Sequence, residues 1–285
     1  MLYQASLVCE GGAMAGVYTA GVLDVLMEHS IYFSHVIGVS IGSCNAIDFA
    51  SGQIGRTIDC MAVKDKRLIY SGLPCLLRRG KLYDFDLCFQ GFADQYIPFD
   101  YEAFGRSPIY TEVVATDCET GEPLYIPCRA EDKQVMRASR ASSSMPFLSE
   151  VYEFEGRKCL DGGVAKSIPI DRAIGFGNEK IIVILTKPAG YRKTPNSAAV
   201  RAAVHRKYRS YPRLQAALNN RYMDYNTDIE RVEKMANSGE LYLFRPPHKL
   251  VKRHESNYDR LHAGYDAARQ DAEQRLDELL FYLKK

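Results

Sequence analysis

One serine in this chain has the residue types and spacing of a catalytic nucleophile: Ser40, at the centre of the pattern G-V-S-I-G. A G-x-S-x-G pattern that follows an apolar strand and opens a helix holds the serine hydroxyl on a sharp turn above a sheet. Residues 35–37, H-V-I with two β-branched side chains, have the character of such a strand, and the mostly small residues 43–47 can open the helix. We therefore expect Ser40 to attack an acyl carbonyl carbon. For an isolated motif of this kind, the alternative is a surface turn.

A glycine-rich turn, E-G-G-A-M-A-G over residues 10–16, precedes this serine. It follows the apolar residues 5–9 and leads into a small and apolar helical stripe over residues 17–29, which makes a β-α-β unit with the strand before Ser40. Loops that follow parallel strands lie at the same edge of the sheet, so the turn and the serine should be neighbours. Free backbone N–H groups of the turn could then stabilise the oxyanion that forms on carbonyl attack. The predicted donors are Gly11, Gly12 and Ala13.

The same turn does not fit the known nucleotide-binding patterns. A P-loop requires Lys and Ser or Thr after its last glycine, whereas Val17 and Tyr18 follow Gly16. A dinucleotide-binding fingerprint requires a second glycine where Ala13 stands. We therefore set nucleotide binding aside.

The general base is less evident from the sequence. A serine hydrolase commonly uses a histidine held by a carboxylate, but none of the six histidines follows a strand in a comparable setting. Asp161 ends a short apolar stretch, and the glycines after it let the backbone turn away from the carboxylate. We predict Asp161 as the base. A simple Asp-Gly turn, and a Ser-His-Asp enzyme that uses a C-terminal histidine, are the alternatives.

Taken together, these motifs resemble the patatin-like phospholipase family over roughly residues 5–186. V-V-A-T-D at residues 113–117 resembles the central strand of that family, and A-S-S-S-M-P at 141–146 resembles the segment before its aspartate. The resemblance implies an α/β, patatin-like three-layer fold with a mostly parallel central sheet. It also implies a Ser40–Asp161 dyad that cleaves lipid acyl esters, as phospholipase A or lysophospholipase does, through an acyl-enzyme and without a metal or cofactor. The motif glycines are Gly16, Gly38, Gly42, Gly162 and Gly163.

The glycine turn departs from the pattern of that family at two positions. The family resemblance implies a turn of the form G-G-G-x-R-G, whereas this chain has Ala13 in place of a glycine and Ala15 in place of the basic residue. Ala13 retains a backbone N–H, but the loss of a cation at residue 15 bears on rate and on head-group preference. A lipid-binding or partner-binding member of the fold with weakened catalysis is therefore a competing hypothesis.

Composition indicates a catalytic domain over residues 1–186 and a mainly helical, basic C-terminal region over 187–285 that packs on it. The chain of 285 residues is 46% hydrophobic, which is enough for a sizeable core. All eight cysteines precede Asp161 and none forms a C-x-x-C pair, so we expect reduced thiols. The absence of a signal-like segment and of a long apolar run predicts a cytoplasmic protein.

Basic residues cluster with tyrosines early in the C-terminal region. This cluster predicts peripheral contact with an anionic membrane, for which a solvated helix face is the alternative. Nucleic acid is not an expected partner, because the formal net charge is only +2 and no recognition module is present. The residues of this basic patch are Arg201, Arg206, Lys207, Arg209 and Arg213.

Overall fold

A central eight-stranded sheet organises the computed structural model, which describes residues 1–285. Along the sheet the strand order is β5-β6-β3-β2-β1-β7-β8, and β4 pairs with β3. The five strands β3, β2, β1, β7 and β8 are parallel to one another, whereas β4 and β6 pair antiparallel with β3, and β5 pairs antiparallel with β6. The strands are β1 (Leu2–Cys9), β2 (Tyr32–Val39), β3 (Tyr110–Asp117), β4 (Pro123–Pro127), β5 (Tyr152–Phe154), β6 (Arg157–Asp161), β7 (Lys180–Ile184) and β8 (Tyr242–Phe244).

Helices cover both faces of the sheet, which makes three layers. The helices are α1 (Val17–Glu28), α2 (Ile41–Ser51), α3 (Arg56–Met61), α4 (Gly72–Arg79), α5 (Tyr101–Arg106), α6 (Gln134–Ser142), α7 (Ile170–Phe176), α8 (Ala198–Lys207), α9 (Pro212–Asn237), α10 (Tyr258–Gln274) and α11 (Leu276–Lys284). One face of the sheet packs against α1, α2, α6 and α10, and the other packs against α7 and α9. The predicted three-layer α/β fold with a mostly parallel sheet is confirmed.

The β-α-β unit predicted from the first 47 residues is present. β1 and β2 pair in parallel, and β1 lies between β2 and β7 in the middle of the sheet, where its last five residues are fully buried. The connecting helix α1 is buried on nearly all sides because α10 covers the face that the sheet does not. Both loops therefore leave the same edge of the sheet, next to each other.

The C-terminal region contributes to both layers and to the sheet itself. β8 extends the sheet by pairing in parallel with β7, and α9 and α10 pack on opposite faces. The predicted boundary at residue 186 falls two residues after β7 and remains a prediction. No helix in the chain combines the length and the apolar character that crossing a bilayer requires.

The sequence pattern predicts one helix over residues 59–70 and another over 257–283, and the structure differs from both predictions. A helix expected over residues 59–70 is instead α3 followed by one short 3-10 turn, where the Asp65 carboxylate accepts a hydrogen bond from the Arg67 N–H and starts a separate turn. A single helix expected over 257–283 is divided between α10 and α11 at Arg275. The guanidinium of Arg275 donates to the Leu243 carbonyl at the sheet edge, which requires this turn of the chain.

Candidate active site

The G-x-S-x-G segment forms a sharp turn between β2 and α2. Ser40 has φ 55° and ψ −123°, a strained conformation that a residue with a side chain rarely adopts. The two flanking glycines allow it, because a Cβ on Gly38 would lie 2.2 Å from the Gly42 carbonyl oxygen. A Cβ on Gly42 would lie 2.3 Å from the Cys9 carbonyl oxygen at the end of β1. Close backbone packing therefore holds Ser40 at the carboxyl edge of the sheet.

The hydroxyl of Ser40 contacts the carboxylate of Asp161. Ser40 Oγ donates to Asp161 Oδ2 over 2.6 Å, and both residues are buried. Asp161 ends β6, and its second oxygen, Oδ1, accepts the Gly163 N–H over 2.8 Å. Thr116 Oγ1 donates to the Asp161 carbonyl oxygen over 2.8 Å, which ties the residue to β3. The carboxylate is thus held in one orientation, with Oδ2 directed at the serine.

A second serine holds the backbone of the elbow in place. Ser142 Oγ accepts the Ser40 N–H over 2.9 Å and donates to the Val114 carbonyl oxygen over 2.5 Å. Ser142 is the last residue of α6, and a hydrogen bond joins its carbonyl oxygen to the Gly162 N–H. Ser142 therefore links the serine turn and strand β3 through its hydroxyl, and the aspartate turn through its carbonyl oxygen.

Three backbone N–H groups of the glycine turn have no hydrogen-bond partner within the protein, those of Gly11, Gly12 and Ala13. A Cβ on Gly11 would lie 3.3 Å from the Ser40 Cβ, so the turn approaches the serine closely. Ala13 has φ 50°, in the left-handed region that a glycine adopts without strain. The alanine thus retains the turn, at a cost in backbone strain of about 1 kcal/mol.

Glu10 anchors this turn from beneath. Its buried carboxylate accepts hydrogen bonds from the Thr186 N–H and hydroxyl through Oε2. The other oxygen, Oε1, accepts from the hydroxyl of Tyr225 on α9. The C-terminal region therefore fixes the position of the predicted oxyanion donors.

The remaining motif glycines serve close packing around the same edge. A Cβ on Gly162 would lie 1.9 Å from the Val114 carbonyl oxygen, and a Cβ on Gly16 would lie 2.5 Å from Ile41 Cγ1. A Cβ on Gly12 would lie 2.4 Å from Thr186 Oγ1. Every residue that the sequence analysis assigned to the site lies within this one cluster of loops.

None of the six histidines forms a hydrogen bond to Ser40 or Asp161. His35 is buried on β2, where its ring nitrogens contact Ser6 Oγ and Glu112 Oε2. His35 lies on β2 before the turn that carries Ser40, and these two contacts occupy both of its ring nitrogens. His29, His205 and His262 bond to residues on helices, Glu273, Gln215 and the Tyr258 carbonyl.

An apolar cleft opens beside Ser40. It has a volume of about 60 Å³, and ten of the twelve residues around it are hydrophobic. The sequence has an aromatic run at residues 83–99, which predicts either a lid that receives an acyl chain or plain packing. Tyr83, Phe85 and Phe89 of this run line the cleft, whereas Phe92 and Phe99 are buried in packing clusters. The large side chains that line the cleft are Met14, Tyr70, Tyr83, Phe85, Phe89 and Met145.

The opposite side of the site is polar and cationic. Arg221 on α9 flanks Gly163, since a Cβ on that glycine would lie 3.1 Å from Arg221 Nη2 and 3.0 Å from Asp161 Oδ1. Lys193 Nζ donates to Ser167 Oγ over 2.9 Å, close to the same glycine. Ala15, at the position where the family resemblance implies a basic residue, lines a neighbouring cavity together with Lys187 and Arg253.

The sequence analysis did not identify several of these residues. Ser142 lies in a segment that resembled the family, yet nothing in a run of three serines distinguishes the one that points at Ser40. Arg221 and Lys193 come from a region with an excess of basic residues, and that excess was the only signal available. Their placement depends on how α9 packs across β7, which local sequence patterns do not specify.

This chain belongs to the patatin-like phospholipase family, because a family model with that description matches residues 7–174. A second model, described as a domain of unknown function (DUF6363), matches residues 211–284.

Among curated proteins, the chain is similar to the uncharacterized protein YjjU of Escherichia coli K12, with 30% identity over 204 residues. That match covers 67% of this chain and 54% of YjjU, so the chain spans about half the length of that relative. It is 25% identical over 265 residues to the probable lipid hydrolase 463L of Invertebrate iridescent virus 6, covering 84% of this chain and 87% of that protein. The crystal structure of VipD from Legionella pneumophila superposes with a TM-score of 0.45 at 11% identity, covering 97% of this chain and 67% of VipD.

Proposed function

We propose that this protein is a serine acyl hydrolase that cleaves lipid acyl esters of the phospholipase A or lysophospholipase type. The observation that carries the proposal is the 2.6 Å hydrogen bond from Ser40 Oγ to a buried carboxylate oxygen of Asp161. A nucleophile within hydrogen-bonding reach of its base, with the base oriented by further contacts, is the arrangement that acyl transfer requires. This arrangement and the family name both support a carboxylic ester as the substrate.

The geometry supports the following sequence of steps. Ser40 Oγ attacks the ester carbonyl carbon as its proton passes to Asp161 Oδ2. The negative charge that develops on the carbonyl oxygen is stabilised by free N–H groups of the glycine turn, each worth about 3 to 4 kcal/mol in comparable enzymes. The protonated Asp161 then gives the proton to the departing alcohol. Water, deprotonated by the same carboxylate, cleaves the acyl-enzyme and restores Ser40.

A lipid substrate is supported by two independent observations. The cleft beside Ser40 is lined almost entirely by apolar and aromatic side chains, which suit an acyl chain. The viral relative that matches most of this chain is named a probable lipid hydrolase. Both point to an ester whose acyl part is apolar.

Two variants test the assignment of the base and nucleophile. We expect Ser40→Ala to abolish labelling by a fluorophosphonate probe and to lower hydrolysis of p-nitrophenyl butyrate by at least about 10⁴-fold. Asp161→Asn should lower hydrolysis by a similar order, because the amide cannot accept the serine proton. Ser210→Ala and Asp259→Asn, on the surface far from the site, are matched controls.

Replacement of each histidine separates the dyad from a Ser-His-Asp triad. The dyad predicts that all six His→Ala variants retain ester hydrolysis, whereas a triad predicts that one of them abolishes it. Folded protein that neither labels nor hydrolyses any ester would instead favour a binding role for the fold.

We also propose peripheral contact with an anionic membrane through the basic patch defined above, Arg201, Arg206, Lys207, Arg209 and Arg213. These side chains are exposed on α8, on the turn after it and at the start of α9. Tyr208 within the patch is buried, and its hydroxyl accepts the Phe147 N–H, so charge and not aromatic insertion would drive the contact. The fraction of protein that co-sediments with phosphatidylserine vesicles should fall when the five residues are changed to Gln.

A further inference from the structure

Four cations surround the polar side of the candidate active site without a carboxylate partner. The chain contains twenty salt bridges, and none of them includes Lys187, Lys193, Arg221 or Arg253. Arg221 makes no hydrogen bond at all, and its Nε is buried without a partner. Arg253 is exposed and the other three side chains are half-buried, so the case for a ligand rests on Arg221 Nε. A buried cationic nitrogen without a partner is costly, and an anionic ligand would relieve that cost.

Two of these cations, Arg221 and Lys193, lie at the aspartate turn. An ideal Cβ at Gly163 would lie 3.0 Å from Asp161 Oδ1, 3.1 Å from Arg221 Nη2 and 3.4 Å from Ser167 Oγ. Lys193 Nζ donates to that same Ser167 hydroxyl. Because residue 163 has no side chain, a space remains between Asp161, the Arg221 guanidinium and the Lys193 ammonium.

Lys193 is held in position by contacts with α9. The backbone of Lys193 exchanges two hydrogen bonds with the side chain of Asn226 on α9, and its ammonium lies 3.9 Å from the ring centroid of Tyr225. Burial lowers the pKa of Lys193 well below its ordinary value and lowers the pKa of Arg221, with the neighbouring cations adding to the effect on Lys193. Their mutual repulsion would be relieved by a bound anion.

A cavity of about 440 Å³ continues from this point between α8, α9 and the loop after α6. Lys193, Arg221 and Arg253 line it together with the amides Asn196 and Asn219. Met145 borders both this cavity and the apolar cleft at Ser40, so the two spaces lie on either side of one side chain. A substrate at Ser40 could therefore extend into both.

From this arrangement we infer that Lys193, Arg221 and Arg253 form an anion subsite that binds the phosphate of an acyl ester while the acyl chain occupies the apolar cleft. Arg and Lys together suit phosphate oxygens, with a planar fork from one side chain and a compact charge from the other. The subsite rests on the proposed hydrolase function and assigns the substrate class to that function: a phosphate-bearing acyl ester in preference to a neutral one.

The test compares two esters that share a six-carbon acyl chain, 1-hexanoyl-glycerol 3-phosphate and 1-hexanoyl-glycerol. Chains of this length are used as dissolved monomers, so surface charge on vesicles plays no part. We expect kcat/KM for the phosphate ester to exceed that for the neutral ester by about tenfold or more, and the ratio to fall by about tenfold in Arg221→Met and in Lys193→Met. Arg221→Lys should retain part of the ratio.

Arg106→Gln is the matched control, because Arg106 is exposed at the opposite edge of the sheet, before β3, and should leave the ratio unchanged. Melting temperatures of all variants establish that they are folded. A wild-type ratio near one, or a ratio unaltered in both Met variants, overturns the subsite while leaving the hydrolase function intact.

Binding measurements keep the inference testable if no ester is turned over. Calorimetric titration of the Ser40→Ala variant should show the phosphate ester binding about tenfold more tightly than the neutral one, with the difference lost in Ser40→Ala/Arg221→Met. Glycerol 3-phosphate supplies the same phosphate without an acyl chain and should bind much more weakly. Equally tight binding of glycerol 3-phosphate would assign the cluster to a soluble phosphate and overturn its role in substrate selection.

Discussion

The two sides of Ser40 differ in both chemistry and origin. The apolar side is built by residues between Met14 and Met145, and it holds aromatic rings and these two methionines. The polar side is built largely by residues after 187, and it gathers cations around a glycine. Ser40 and Asp161, the proposed nucleophile and base, lie between them, within the residues that the family model covers.

We infer from this difference that residues at the sheet edge cleave the ester bond, while the flanking elements bind the acyl end and the anionic end of the substrate. An acyl chain gains from burial, at about 0.8 kcal/mol for each methylene. An anionic leaving group gains from charge-assisted hydrogen bonds. Each side can therefore be changed separately, and the following predictions do so.

The largest effect should come from Gly162→Ala, which affects both sides at once. The new methyl group would lie 1.9 Å from the Val114 carbonyl oxygen, and neither backbone can yield without moving Asp161. We expect a loss of about 3 kcal/mol in the free energy of unfolding, measured by urea denaturation, together with loss of activity on every ester.

The adjacent variant Gly163→Ala is the contrast, because its methyl group would enter the space beside Arg221. It should stay folded and lose the phosphate preference. Equal destabilisation by the two variants would show that the second glycine has only a structural role.

On the apolar side, Phe89→Ala should shift the chain-length preference. Phe89 lines the cleft of about 60 Å³, and removal of its ring enlarges the space available to the acyl chain. We expect kcat/KM for decanoyl relative to butyryl p-nitrophenyl esters to rise about fourfold for each additional methylene accommodated. The phosphate preference should not change. A simultaneous fall in that preference would mean that the two sides are coupled.

The pH dependence should distinguish the two sides again. Burial and the nearby cations Arg221 and Arg253 hold the pKa of Lys193 well below 10.5, while Glu10 and Asp161 act in the opposite direction. The ammonium is present below its lowered pKa and lost above it. The phosphate preference should therefore decline before pH 10.5 is reached, and Lys193→Arg should extend it to higher pH. Ratios of kcat/KM for the two hexanoyl esters across pH 6 to 10 measure this effect, and a flat profile would contradict it.

The smallest effect should come from Ala13→Gly. Ala13 has φ 50°, which glycine adopts without strain, so the substitution should raise the free energy of unfolding by up to about 1 kcal/mol. Because the backbone N–H is retained, turnover of neutral and phosphate esters should change in parallel. Thermal denaturation and the two hexanoyl esters provide the measurement; a lower melting temperature would argue that the alanine methyl group contributes packing.

Much of the fold and the centre of the site follow from local sequence patterns. Ser40 stands out because glycines flank it on both sides, and Asp161 because two glycines follow it; such glycines allow close backbone contacts and are visible in the sequence. The β-α-β unit is equally visible, since strand and helix periods alternate over the first 47 residues. Fold class and the meeting of the two motifs were therefore predictable.

The cations of the polar side were not predictable in the same way. Arg221 lies on a long amphipathic helix with other exposed basic residues, and only the packing of α9 across β7 directs it at Gly163. Tyr208 gives the opposite case, because a tyrosine within a basic patch suggested a membrane surface and is instead buried. Long-range packing decided both positions, and neither residue carries a local signal of it.

The addition of β8 to the edge of the sheet has a consequence for modular exchange. Because β8 pairs with β7 while Tyr225 and Asp228 of α9 contact Glu10 and Lys166, a relative's segment grafted after β7 would leave the order of the earlier motifs unchanged but would have to supply these two contacts again. Such a chimera would keep its chemistry and inherit a new set of charges. Substrate choice in this architecture would then be able to diverge by recombination, faster than the machinery of cleavage itself.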